Sequence, residues 1–308
     1  MVIARRCFVV LALLFSTSVL AAGAVELKFH PAKGSTTKLK VAMDQKVTQT
    51  INGTANTVNQ AVTLVYRMDA GDLDADGATS VKVTYESISF KQQTNVGNVD
   101  FDSNNPPPTV PAAARGVAAL VGQTFTAKIS PTGHVTDVKG VDEMIDSILK
   151  KLGVPDGPTK PLLDQSLRKE FGADAIRENM EAMLLIYPEK PVATGDSWTH
   201  PLSITKGFPM LVVNTFTLKE AGAELATVDL KSTLMSNADA PPIDMGNRKL
   251  TYRLSGNQRG VMKLNRGDGM IQSGDVTQKV EGKIMSDTKE GTTEVPVVIE
   301  THLVMGRE

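Results

Sequence analysis

The chain has 308 residues, 41% of them apolar and only 5% aromatic, with 33 Lys and Arg against 34 Asp and Glu. The near-neutral balance and the lack of a basic run give no electrostatic footprint for nucleic acid. The length is enough to bury a core, as one large domain or as two intimate ones.

The N-terminus reads as an export signal. Arg5 and Arg6 form a charged start, Cys7 to Leu20 is an apolar run, and Ala22-Gly23-Ala24 is a small-residue cleavage site. Cleavage after Ala24 is expected, with a periplasmic or extracellular destination, by ordinary or twin-arginine export. The lone cysteine, Cys7, precedes the apolar run, so it is misplaced for a lipid anchor and leaves with the leader. Without it the mature chain has no disulfide, thiolate nucleophile or thiolate metal site. Losing Arg5 and Arg6 brings the net charge to near −3. No later segment is apolar enough to span a bilayer as a helix.

From residue 25 to 138 the pattern is period two, the mark of half-buried strands. Leu39, Val41, Met43 and Val47 share one face, then Val62, Leu64, Tyr66 and Met68, then Val81, Val83 and Tyr85. NNPPPTVP at 104–111 is a stiff connector leading to a short Ala-rich helix near 112–121. Residues 139–187 change to helical spacing. Val141, Met144, Ile145, Ile148, Leu149 and Leu152 form one apolar stripe, closed by Gly153 and Pro155. Pro161 to Phe171 predicts a second helix and Asp174 to Ile186 a third, with Ile176, Met180, Met183 and Leu184 on one side. From 188 to 308 the alternation returns, clearest at Val295, Val297, Ile299, Leu303 and Met305. Trp198, the one tryptophan, is expected as a buried anchor where helices give way to sheet.

Two segments echo one another. TAKISPTGHVTDV (126–138) and VMKLNRGDGMIQS (261–273) both read strand, turn, glycine, strand. The RGD at 266–268 therefore reads as the tip of a hairpin and not as an adhesion ligand, since Asn, Asp and Gly suit such turns. These features predict an α+β fold: long antiparallel curved sheets in two similar strand-rich halves, with a central helical segment.

Few motifs carry chemistry. Asp72, Asp74, Asp76 and Gly77 match the first half of a calcium loop, although the twelfth position, where a bidentate Glu belongs, is Val83. These three carboxylates are the only metal candidates; the alternative is an acidic hairpin tip, and no other cofactor is expected. His30, His134, His200 and His302 are widely separated, and HExxH, GxSxG and P-loop patterns are absent. Ser-x-x-Lys occurs at Ser35, Ser147, Ser166, Ser203 and Ser286, on helix and strand alike, and Ser147 reads as part of a solvated helix face.

The ordered set ELKFHPAKG, DADG, TFTAKISPTGHVTDVKG, GDSW and LSGNQRGVMKLNRGDGMIQS resembles an uncharacterised family of exported bacterial proteins, a domain of unknown function. The resemblance spans most of residues 26–286. It implies an envelope compartment and a strand-rich fold, no known activity and no catalytic residue.

Twelve methionines remain after the leader, several on apolar faces. Methionine fills irregular cores and also lines adaptable apolar surfaces. The first expectation is a non-enzymatic envelope protein holding an apolar small molecule or lipid between sheet and helices, with Met144, Ile148, Met180, Met183 and Leu184 as contacts. The alternatives are a structural or interaction protein with no small ligand, and a hydrolase with an unrecognised site.

Overall fold

The computed structural model describes residues 23–205, 209–244, 246, 248–289 and 291–308. Apart from its last two residues, the export leader expected over 1–24 lies outside them.

The sequence alternation becomes one antiparallel sheet of 13 strands. The first group is β1 (Thr36–Ile51), β2 (Thr54–Leu73), β3 (Thr79–Thr94), β4 (Gly97–Asp102), β5 (Thr124–Ile129) and β6 (Val135–Lys139). The second is β7 (Ser197–Ile204), β8 (Met210–Ala221), β9 (Leu225–Ser236), β10 (Ile243–Asp244), β11 (Lys249–Asn265), β12 (Ile271–Thr288) and β13 (Gly291–Arg307). The order across the sheet is β6-β5-β3-β2-β1-β13-β12-β11-β9-β8-β7, with β4 beside β3 and β10 beside β11. The two strand-rich halves are thus not separate sheets. β1 and β13, from opposite ends of the chain, pair from Leu39↔Arg307 to Gln49↔Val297 and fuse them. The fold is α+β but mainly β.

The helices are α1 (Arg115–Leu120), α2 (Val141–Lys151), α3 (Thr159–Phe171) and α4 (Ala173–Leu184). Their apolar stripes pack on one face of the sheet and build the main core with Val81, Val83, Phe125, Ile129, Leu264 and Met305. Ser147 is half-buried on α2, not solvated, and accepts a bond from the Gln123 amide at 3.1 Å. Lys150 of the same helix is exposed.

Curvature brings the two sheet edges to one strap, α4 and the residues after it. On the β6 side, Glu181 accepts the Val135 amide at 3.0 Å. On the β7 side, Glu178 accepts the Thr205 amide at 3.0 Å, the Trp198 indole donates to the Ile186 carbonyl at 3.1 Å, and a His200 ring nitrogen lies 2.7 Å from the Tyr187 carbonyl. Trp198, stacked on Phe216 at 5.9 Å, is half-buried and anchors this junction. Edge strands left open invite pairing with other chains. Here Glu181 covers part of one edge, and Pro201 breaks the donor row of the other.

The echoed hairpins converge beneath the strap, although β5–β6 lies at a sheet edge and β11–β12 in its interior. The Phe29 amide donates to the Pro131 carbonyl at 2.8 Å, and the His30 amide to the Asp268 carbonyl at 3.0 Å. Gly133 and Gly269 both have positive φ, +87° and +74°. A Cβ at Gly133 would overlap the Leu184 carbonyl, and one at Gly269 the Lys28 carbonyl. RGD is locked in this packing: Arg307 binds Asp268 at 2.7 Å, and Arg266 donates to the Gly222 carbonyl.

The helix-facing side of the sheet is banded. Register places Gln92, Gln60, Gln45, Thr301, Gln278, Gln258, Ser232, Asn214 and His200 side by side across nine strands. Directly paired residues share a face, so this is a transverse belt without a formal charge when His200 is neutral. On one side of it lies the helix-covered core. On the other lies a second apolar cluster, Met210, Val212, Leu234, Leu254, Val280, Val297 and Ile299. Beside the belt the opposite face carries exposed charges such as Asp44, Lys46, Lys91, Lys279 and Glu300.

Candidate functional site

The helices do not fill the space against the sheet completely. A chamber of about 260 Å³ remains between the strands and the strap. The sheet contributes Leu39, Leu64, Tyr66, Met68, Val83, Tyr85 and Phe125; the helices contribute Leu120, Phe171, Ile176, Asn179, Met180, Met183 and Leu184. Met270 and Ile271, directly after the RGD turn, complete the wall. The turn sets their position, because the Met270 amide donates to the Asp268 carboxylate at 2.9 Å.

No lining residue carries a formal charge. Asn179 is exposed and marks the rim, with half-buried Phe171, Met183 and Leu64 near it in the lining. The other polar groups are two phenols. Tyr66 and Tyr85 are direct cross-strand partners, with ring centroids 5.3 Å apart. Burial raises the pKa of both: Tyr85 is pushed up to about 12, and Tyr66 is raised by burial and then by its neighbour Tyr85. Both therefore stay neutral O–H donors at ordinary pH.

A β-bulge creates the tyrosine pair. β2 and β3 run in register to Val65↔Ser87, then skip a residue to Tyr66↔Tyr85. Without the skip, Glu86 would oppose Tyr66. The extra residue swings Tyr85 to the inner face and leaves Glu86 to reach Lys38 with Oε1, while Oε2 is buried without a partner among the described residues. Bulges often re-aim a side chain in this way.

Of the expected ligand contacts, Met180, Met183 and Leu184 line the chamber. Met144 and Ile148 do not. They are 2% and 0% exposed and belong to the α2 stripe that fills the core; Met144 also borders a separate hollow with Gln123 and Thr124. Helical spacing marked both stripes as apolar but could not tell a filled contact from an unfilled one.

Two of the three candidate metal ligands are paired with lysines. Asp72 pairs with Lys33 and Asp74 with Lys128, while Asp74 also accepts the amides of Asp76 and Ala78 at 3.0 and 2.8 Å. Among the described residues no cluster of three or more His, Cys, Asp or Glu side chains could hold a metal. Asp74 organises the hairpin tip as an Asx turn.

A family model described as "Family of unknown function (DUF6263)" matches residues 76–271. The chain belongs to this family. The DUF6263 match starts at Asp76 in the β2–β3 turn and ends at Ile271, the first residue of β12. It takes in α1 to α4, the β5–β6 hairpin, and β11 with the turn after it, while Leu39, Leu64, Tyr66 and Met68 of the chamber precede it. No curated protein matches the chain.

Solved structures similar to it include lipovitellin ("Lipid-protein interactions in lipovitellin"), at 13% identity and TM-score 0.48 over 90% of this chain. The chain spans a quarter of that protein's length, 25%. Also similar are the COG4313 outer membrane channel from Pseudomonas putida F1, at 7% identity and TM-score 0.23 over 91% of this chain and 98% of the channel, and Pseudomonas aeruginosa OpdQ, at 6% identity and TM-score 0.19 over 89% and 99%. Among the described residues no helix is long and apolar enough to cross a membrane.

Proposed function

We propose that the protein is a non-enzymatic, exported envelope protein that holds an apolar or lipid-like ligand in the chamber beneath α4. The observation carrying this reading is the chamber itself: about 260 Å³ lined mainly by apolar side chains and without a charged lining residue. Dense packing is the rule in protein interiors, and an unfilled apolar space forfeits contacts on all its walls. An apolar occupant restores them. The volume is close to the lower end for small-molecule sites, roughly 300 Å³, which suits one chain or a compact ring system. Methionines at 68, 180, 183 and 270 give the walls side chains that adapt to the occupant's shape.

Mild purification of the mature protein followed by native mass spectrometry and solvent extraction tests the reading. An adduct that solvent removes, and that an added apolar probe replaces, is the expected result. A bare mass that no apolar probe shifts would sink it.

A second reading, an interaction protein of the envelope, has one observation in its favour. Leu211, Val213 and Met235 are 39%, 44% and 54% exposed on the opposite face of the sheet, with Leu211 directly across from Met235. Crosslinking through position 235 in the cell envelope would recover a partner; a crosslink-free monomer would count against it.

A further inference from the structure

Hydroxyls in protein interiors almost always find a partner. Tyr187 shows the usual solution, with its hydroxyl donating to the Gly269 carbonyl at 2.8 Å. Tyr66 and Tyr85 differ. Both line the chamber, Tyr85 is only 8% exposed, and neither hydroxyl meets a protein hydrogen-bond partner among the described residues. Neither belongs to the buried polar atoms sealed away from accessible space. The hydroxyls therefore reach space inside or beside the chamber, not packed protein. The bulge at Glu86 is what sets the two phenols opposite each other there.

We propose that the tyrosine pair recognises a neutral acceptor oxygen, and that the ligand is a single-chain acyl ester: its chain in the chamber, its carbonyl oxygen at Tyr66 and Tyr85. This assignment rests on the chamber being the ligand site. An ester carbonyl fits the available chemistry. The phenols supply O–H donors, and a carbonyl offers two lone pairs and no proton of its own. A free carboxylate fits less well, because no Lys, Arg or His lines the chamber to compensate its charge, and an uncompensated charge in an apolar site is strongly disfavoured. A plain hydrocarbon would leave both hydroxyls unpaired.

The test compares methyl dodecanoate, dodecanoate and dodecane on the mature protein at pH 8, by competition in native mass spectrometry. The wild type is expected to bind the ester about tenfold more tightly than dodecane, the scale of two modest net hydrogen bonds, with dodecanoate weaker than the ester. Y66F/Y85F should lose that preference while still binding dodecane, which shows that the chamber survives the substitutions. Infrared spectra of carbonyl-labelled ester should show the carbonyl stretch lowered in the wild type and not in the double variant.

If the wild type binds ester and dodecane alike, if dodecanoate binds best, or if Y66F/Y85F retains the ester preference, the tyrosines have no such role and the chamber reading stands. If none of the three probes binds, the chamber reading fails and the assignment falls with it.

Discussion

The hydroxyl of Tyr187 and the carbonyl of Gly269, 82 residues apart in sequence, share a 2.8 Å hydrogen bond in the fully buried centre of the molecule. It joins the strap after α4 to the RGD turn, and so joins the roof of the chamber to Met270 and Ile271 in its wall. Burial, and then the charge of Asp268, raise the pKa of Tyr187, so the hydroxyl donates at every ordinary pH. Tyr187→Phe keeps the ring and strands a buried carbonyl. A loss of about 1–3 kcal/mol is expected, read as a lower melting temperature of the mature protein.

The two echoed glycines should be far less replaceable than turn glycines whose Cβ would meet open space. Gly269→Ala and Gly133→Ala each force a Cβ into a backbone carbonyl and strain a positive φ. Roughly 4 kcal/mol or more is expected for either. Gly53 is the control. It has φ +78° in the Asn52-Gly53 hairpin turn, but open space where its Cβ would go. Gly53→Ala should cost only about 1 kcal/mol. Denaturant titration of the three variants separates collision from strain.

What the sequence disclosed follows the range of the forces. Local periodicity is written in neighbouring side chains, so the strand runs through Leu39–Val47 and Val81–Tyr85 and the helix stripe from Val141 to Leu149 were legible. The pairing of β1 with β13 was not, because nothing near either strand encodes a partner at the other end of the chain. The belt from Gln92 to His200 likewise appears only once register is known. One long-range feature does leave a local mark. In VKVTYESISF the apolar phase passes from Val81, Val83 and Tyr85 to Ile88 and Phe90, an odd-to-even switch at Glu86-Ser87. That switch is the bulge that sets Tyr85 against Tyr66. The vacancy in the core was beyond pattern reading, since Ile148 and Met180 have the same helical spacing and only packing distinguishes them.

The belt has a buried hydrogen bond that can be probed. Ser232, 5% exposed, donates to the Asn214 side-chain carbonyl at 2.7 Å. Ser232→Ala leaves the Asn214 amide group short of a partner and should cost about 1–3 kcal/mol. Replacing both partners removes the unmet demand, so Ser232→Ala combined with Asn214→Leu should be closer to the wild type than the single variant. Urea midpoints of the three proteins check this, and additive losses would contradict it.

Asp74 gives a pH-dependent contribution whose sign is fixed. The Lys128 hydrogen bond first, and then the Ala78 amide, hold its carboxyl below the usual aspartate value. A group with a depressed folded value stabilises above its unfolded value, roughly pH 4, and loses that contribution as pH falls through the folded value. The melting-temperature gap between wild type and Asp74→Asn should be steady from pH 8 to 5 and shrink below 4. Because Lys33 and Lys128 already pair with Asp72 and Asp74, millimolar calcium should leave the melting temperature unchanged. A calcium-dependent rise would instead assign the loop to the metal.

Filling the chamber tests ligand binding with little disturbance to the fold. Met183 lines the space from α4 and is half-buried near the rim, so a larger side chain there can turn inward without crossing a packed core. Met183→Trp adds an indole to a volume of about 260 Å³. A cavity so filled gains dispersion contacts, while overpacking elsewhere in a core costs about 1–3 kcal/mol. Met183→Trp should therefore melt at or slightly above the wild-type temperature and no longer take up an apolar probe. Ile148→Trp is the contrast: Ile148 is fully buried away from the chamber, so overpacking should lower stability there. Probe uptake by Met183→Trp equal to that of the wild type would place the ligand elsewhere; loss of uptake at unchanged stability would place it beneath α4.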